Sequence, residues 1–391
     1  MKKVIILLPS LQQGGVVRSL LEAMRAVNTE AYQIVIYTYR DLTAWKRYFP
    51  QSVEIIVDSD PTHYYRRPKA LLLQLAQKAA TLLKKREKAA DYAERLHRYV
   101  HGEKAKYPAK TYFRDGADVV IAYTMDLCTE MAVHIRADKK YVFFHSSAPA
   151  FHRDIAESCF PYFDQIIAVG NKVGAMLRES YPQFREKVAV LRNYVSAADI
   201  REKAAADAVD LAPYAGRTVL SSVIRVDKEK GADLIVGAAV RLKKEGIPFV
   251  WFVVGDGGTR DQVEQQIAEE GLLGEVIITG FRDNPYPYIE SCDVYVHPAY
   301  EESFGLSILE ARILGKAVVS TNTMGAREVL SDGEDGVLTA ITAEALAEGI
   351  LRLLRDPQRK VYYEATSGWD DQEEFEAYQK GWNTILNGGI L

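Results

Sequence analysis

Short apolar runs alternate with stretches of helical periodicity along almost the whole chain. The runs that read as strands are 4–8, 34–38, 53–57, 119–122, 141–144 and 165–169, then 188–191, 218–223, 249–254, 276–279, 294–297, 317–320 and 336–338. Helical patterns separate most of them, and that alternation predicts α/β domains built on parallel sheets. The runs lack a period-two alternation of polar and apolar residues, as expected of strands covered on both faces. A stretch rich in Ala and Asp, 197–217, with Pro213 and Gly216, interrupts the pattern, which then restarts. The chain is therefore expected to form a first domain over 1–196 and a second over 197–369. In the closing segment, 370–391, Phe375, Tyr378, Trp382 and Ile385 make one stripe of a helix placed to pack back on the first domain. Two doubly wound sheets facing each other would bring their strand C-termini to a shared cleft, where such sheets bind ligands.

A length of 391 residues suits two domains. The 48% hydrophobic and 26% charged composition is that of a soluble globular protein. No apolar run approaches the ~18 residues a membrane-spanning helix needs. The opening Met1-Lys2-Lys3-Val4-Ile5-Ile6-Leu7-Leu8-Pro9 reads as a first strand and turn rather than a signal peptide, because its apolar run is too short. Cys128, Cys159 and Cys292 are isolated and odd in number, which points to a reducing compartment with no disulfide framework and no zinc site. The net charge of −4 conceals an asymmetry, since residues 61–110 alone hold 13 Lys or Arg against 4 Asp or Glu. A basic block in an otherwise acidic protein implies an anionic partner at that place.

The stretch from His297 to Ala311 carries the strongest chemical signal. It sets Glu302 on a loop and Glu310 well inside the following helix. Between them the backbone N–H groups of Gly305, Leu306 and Ser307 are the donors of a helix N-terminus, a ready anion site. Two carboxylates flanking an anion site suit a ligand with hydroxyls at both ends and phosphate between, such as a sugar nucleotide. Taken alone, the pair reads first as surface charge on an amphipathic helix.

Other motifs decide between those readings. Arg225 and Lys230 lie on the loop after strand 218–223, where a planar fork and a point charge can together hold a diphosphate. Gly255 opens a Gly-rich turn after strand 249–254, a weak sign of nucleotide binding that also serves plain backbone geometry. After strand 276–279, Phe281 or Arg282 is placed to cover a base; Phe281 as core packing is the alternative. Gly14 and Gly15 follow the first strand and let phosphate or sugar oxygens approach the backbone of the helix over 16–27. His145 ends strand 141–144, either to orient an acceptor or as a structural histidine.

Together these residues resemble the retaining glycosyltransferases of family four, which have the GT-B fold of two Rossmann-like domains facing each other across a cleft. The matching pieces are Gly14-Gly15, His145, Asn193, Arg225 with Lys230-Gly231, Gly255-Asp256-Gly257, Gly280-Phe281, Glu302 to Glu310, and Gly325 with Glu328. The resemblance covers nearly the whole chain and is strongest over 218–340. It implies that Glu310 bonds the donor ribose, and that Glu302 bonds the transferred sugar and stabilises charge at its anomeric carbon. Arg225 and Lys230 would hold the departing diphosphate with the amides after Phe304, so that no catalytic metal or other cofactor is needed. It implies attack on the face the nucleotide leaves, with a donor phosphate oxygen taking the acceptor proton. Three positions depart from the family pattern: Ile224 and Ser303 replace glycines, and Gly258 replaces a proline. Asp58-Ser59-Asp60 spells a metal-binding triplet of other glycosyltransferases but lies far from the donor motifs and reads as a loop.

The basic block has a separate meaning. Over 64–100, basic residues accompany a leucine stripe and the tyrosines Tyr64 and Tyr65, a combination suited to an anionic lipid surface. A solvated helical insertion packed on the first domain is the alternative; nucleic acid is disfavoured because no recognition motif accompanies the charges. The expected protein is a cytoplasmic transferase, peripheral on the inner face of the cell membrane. It takes a nucleotide-sugar donor, UDP-linked by preference, and a glycan or lipid-linked acceptor of bacterial polysaccharide assembly. A sugar-nucleotide epimerase of the same architecture and a non-catalytic nucleotide-sugar-binding protein are the competing readings.

Overall fold

The computed structural model describes residues 1–11, 14–40, 45–58, 102, 104–366 and 371–391. The chain divides into two compact units. The first comprises Met1–Val169, Gly174–Leu191 and Tyr378–Leu391; the second comprises Gly170–Val173 and Arg192–Ala377. The main division thus falls at Leu191 and Arg192, a few residues before the expected 196/197, because the chain leaves the first sheet as soon as its last strand ends.

The first unit is built on a parallel sheet of β1 (Lys2–Leu7), β2 (Tyr32–Thr38), β3 (Glu54–Val57), β4 (Ala117–Ala122), β5 (Ala137–Phe144), β6 (Gln165–Ala168) and β7 (Val188–Val190). Their order is β3-β2-β1-β4-β5-β6-β7. Strands such as β1 and β4 bury four consecutive residues each, the covered-on-both-faces arrangement that their unbroken apolar runs require. The helix Gly15–Ala26 follows β1 and buries Val17, Leu20, Leu21 and Met24. The closing helix Asp371–Leu386 reaches this unit from Tyr378 onward. There Trp382 stacks on Phe143 with ring centroids 5.1 Å apart, and the Tyr378 hydroxyl donates to the Ser19 carbonyl at 3.0 Å. Phe375, the first residue of the expected stripe, instead packs on Tyr194 within the second unit.

The second unit is built on β8 (Thr218–Val223), β9 (Phe249–Val254), β10 (Val276–Gly280), β11 (Val294–His297), β12 (Val318–Thr321) and β13 (Val337–Thr339). All neighbours are parallel, in the order β10-β9-β8-β11-β12-β13. The helices Ala232–Lys244 and Ala343–Arg355 bury Leu234, Ile235, Leu346, Ile350 and Leu353 against it. Order reverses between β8 and β11, which makes the C-terminal ends of these two strands the switch point of the sheet. Among the described residues no helix is long and apolar enough to cross a membrane. The basic stretch 64–100 lies outside the described residues.

Candidate functional site

The two loops that leave the switch point of the second sheet are tied to each other. After β8 the chain makes a single turn over Lys228–Lys230 and passes through Gly231 in the left-handed conformation, φ 68°. After β11 it runs through Pro298 to Glu302, and the Tyr300 and Glu301 amides both donate to the Glu229 carbonyl, at 3.0 and 3.3 Å. The Tyr300 hydroxyl adds a bond to Asp233 at 2.7 Å. A Cβ on Gly231 would lie 2.1 Å from the Pro298 carbonyl oxygen, so the approach of the loops depends on its missing side chain.

This tie brings Lys230 and Glu302 together. Lys230 Nζ donates to Glu302 Oε2 at 2.9 Å and to the Glu301 carbonyl at 3.2 Å. Oε1 of the same carboxylate faces the amides of Ser303 and Phe304, at 3.1 and 3.4 Å. Gly325 closes the loop from behind, its amide bonding the Glu302 carbonyl at 2.8 Å. Burial alone would push the Glu302 carboxyl up. Lys230 and His297 beside it more than reverse that and hold it well below the usual carboxylate range. Glu302 is thus an ionised, largely enclosed carboxylate next to one cation.

Just beyond, the helix Leu306–Ile313 begins after Gly305. Its first-turn amides, those of Leu306 and Ser307 among them, have no intrahelical acceptor and carry the positive end of the helix dipole. Glu310 sits in the middle of this helix, buried at 7% exposure, and the Tyr286 hydroxyl bonds its Oε1 at 3.1 Å.

Arg225 does not join Lys230. Asp227 and Glu229, two and four residues along the same loop, take its guanidinium at 2.5 and 2.8 Å. Asp227 also accepts the Gly258 amide at 2.7 Å, so this acid links the loop after β8 to the Gly-rich turn after β9. Gly255 serves backbone geometry: its amide is spent on the Gly280 carbonyl at 3.0 Å, and a Cβ there would lie 1.8 Å from the Ile224 carbonyl oxygen. The Ile224 side chain belongs to the core of the second unit, so this departure from the family pattern is taken up by core packing. Phe281 is 40% exposed, which removes the core-packing alternative, and Arg282 is exposed beside it.

In the first unit, Gly14 precedes the helix that starts at Gly15, with open space where a Cβ would stand. His145 follows β5 with its ring against Tyr123 and Phe143. The residue is half-buried, yet Nε2 is shut from solvent and has no hydrogen-bond partner among the described residues. Burial pushes its pKa down to about 3. Asp58 accepts the Tyr37 hydroxyl at 2.8 Å, a structural use of the first residue of the acidic triplet; Ser59 and Asp60 lie outside the described residues. Among the described residues no three His, Cys, Asp or Glu side chains cluster in a way that holds a metal.

His297 is the residue that sequence reasoning passed over. It ends β11 at 2% exposure, with Nε2 3.4 Å from Glu302 Oε2 and Nδ1 3.3 Å from Ser307 Oγ. The signal was present: a histidine at a strand C-terminus, the same feature that singled out His145, here five residues before a glutamate.

Comparison with known proteins bears on the fold and the class of protein. Residues 205–368 match the model of the family of glycosyl transferases, group 1. Among curated proteins, the chain is 30% identical over 189 residues to the lipopolysaccharide core biosynthesis glycosyltransferase LpsE of Rhizobium meliloti, covering 48% of this chain and 54% of that one. It is 30% identical over 180 residues to the N-acetylgalactosamine-N,N'-diacetylbacillosaminyl-diphospho-undecaprenol 4-alpha-N-acetylgalactosaminyltransferase of Campylobacter jejuni, covering 45% and 47%. The matched region thus spans about half the length of these relatives. The fold is GT-B: the crystal structure of Anabaena Alr3699/HepE in complex with UDP aligns over 99% of this chain and 100% of that one, at a TM-score of 0.70 and 18% identity.

Proposed function

We propose that this chain is a retaining, metal-independent glycosyltransferase that moves a sugar from a nucleoside diphosphate, UDP by preference, to a glycan or lipid-linked acceptor. The observation that carries the reading is the ionised Glu302 bonded by Lys230 directly before a helix N-terminus, at the switch point of the second sheet. Lys230 and the first-turn amides supply positive charge for a departing diphosphate, and Arg225 joins by releasing Asp227 and Glu229. Glu302 supplies negative charge for the anomeric carbon as positive charge develops there. Glu310, held by Tyr286, is placed to accept ribose hydroxyls. The acceptor roles of His145, Gly14 and Gly15, and the base contacts of Phe281 and Arg282, rest on the sequence resemblance. One relative belongs to lipopolysaccharide core biosynthesis and another is a transferase named for a diphospho-undecaprenol, which supports a saccharide or lipid-linked acceptor. The UDP complex of the structural relative supports the donor base. Contact with an anionic membrane surface through 64–100 rests on the sequence.

The test is UDP release from a panel of UDP-sugars, with and without candidate acceptors. Glu302→Gln and Lys230→Ala are each expected to lower turnover by about 100-fold or more, the scale of losing one preorganised electrostatic group. Thermal stabilisation by UDP should survive in Glu302→Gln and weaken in Lys230→Ala. Turnover at the wild-type rate in both variants contradicts the assignment.

A further inference from the structure

We infer that His297 is a positioning residue that keeps the Glu302 carboxylate in place while Lys230 turns to the donor phosphates. The inference rests on the transferase reading above. Glu302 Oε2 is shared by two donors, Lys230 Nζ at 2.9 Å and His297 Nε2 at 3.4 Å. These partners differ in freedom. Lys230 ends a four-carbon stem, is 19% exposed and divides its bonds between Oε2 and a carbonyl. His297 is fixed by its backbone, paired with Ser320 across the sheet, and by Ser307 at Nδ1.

Its Nε2 is buried and has no fully formed hydrogen bond among the described residues; Glu302 is the acceptor it faces. An ionised carboxylate only accepts, so a ring proton belongs on Nε2, and the Ser307 hydroxyl, which can donate or accept, turns to suit Nδ1. When the ammonium moves toward phosphate oxygens, Oε2 loses its closer partner. The buried Nε2–H remains, and a shift of a few tenths of an ångström makes it a charge-assisted hydrogen bond. Without it, Glu302 would be held by backbone amides on Oε1 alone and would turn away from the reacting carbon. His297 touches no substrate in this account; it acts through Glu302.

The experiment begins with wild-type turnover on UDP-glucose, UDP-galactose and UDP-N-acetylglucosamine, read as UDP release. No release from any donor with any acceptor overturns the transferase reading and this inference with it. Given turnover, His297→Leu should lower kcat by roughly 10- to 100-fold, the effect of one hydrogen bond to a charged group. The donor KM and the Kd for UDP, measured by calorimetry, should stay within about threefold of wild type. His297→Gln, whose amide N–H also reaches Glu302, should recover to within about fivefold of the wild-type kcat. Ser307→Ala should lower kcat less, and the double variant His297→Leu/Ser307→Ala should be no slower than His297→Leu, because both changes act through one ring. A His297→Leu kcat within about twofold of wild type overturns the inference while leaving the transferase reading intact. So does a loss of UDP binding in His297→Leu that His297→Gln fails to restore, which would make His297 a packing residue.

Discussion

At the scale of single residues, the site depends on positions that have no side chain. Gly231 lets the loop after β8 press against Pro298, and that approach sets Lys230 beside Glu302. Its φ of 68° and the 2.1 Å separation between a Cβ and the Pro298 oxygen oppose any substitution twice over. Gly231→Ala is expected to lower stability by about 1–3 kcal/mol from backbone strain alone, with further loss from displacement of the loop. Urea denaturation measures the first effect. Turnover relative to the Lys230→Ala variant measures the second, because a displaced loop misplaces the same ammonium. A Gly231→Ala protein with wild-type denaturation midpoint and turnover would show that the loop accommodates a methyl group elsewhere. The cations follow a similar local logic. Arg225 bonds acids of its own loop because they lie two and four residues away, whereas Lys230 reaches across to Glu302 because the backbone tie at Glu229 brings that carboxylate close.

At the scale of elements, the closing helix offers a direct test of packing. Trp382 is fully buried, stacked on Phe143 and neighboured by Tyr123 and Tyr378. Trp382→Ala should destabilise the first unit by about 3–5 kcal/mol, as expected of emptying a large aromatic site. Loss of near-ultraviolet circular dichroism at lower denaturant concentration would register it; an unchanged midpoint would mean that the helix contributes little to that unit. From Tyr378 onward the stripe of this helix was legible in the sequence, and so were the strands among the described residues, because buried parallel strands write unbroken apolar runs. Strand starts were less legible. β5 begins at Ala137, four residues before its apolar run, and the added Asp138, Lys139 and Lys140 are polar. Lys139 pairs with Asp164 at 2.8 Å and Lys140 donates to the Val133 carbonyl at 2.8 Å, so tertiary partners hold in the strand what hydropathy leaves out. The site shows the same division. Motifs pointed to Glu302, Glu310 and Lys230, and a spacing rule could have added His297, five residues before Glu302, but Asp227 and Tyr286 make contacts between elements far apart in sequence, which no spacing rule encodes.

At the scale of the whole molecule, the two units should answer acid differently. In the first unit burial lowers the pKa of His145 to about 3 and also lowers that of His152. A histidine depressed in the folded state stays neutral there while the unfolded chain takes up a proton near pH 6.5. The unfolded state therefore binds more protons as pH falls, so stability present above about pH 6.5 is lost progressively toward pH 3. In the second unit Lys230 and His297 outweigh burial and hold Glu302 well below 4.5. Its contribution is present above that value and is lost only as pH falls through the lower folded pKa. Between about pH 6.5 and 4.5 the loss should come mainly from His145, on the order of a few kcal/mol at its limit, and below that range Glu302 should add to it. Denaturation midpoints at pH 7.5, 5.5 and 4 separate the two. His145→Phe should flatten both intervals, because its loss runs from about pH 6.5 down to about 3, whereas Glu302→Gln should ease only the lower one. An upper interval equally steep in His145→Phe would assign the acid sensitivity to other groups and leave the buried ring without an energetic role.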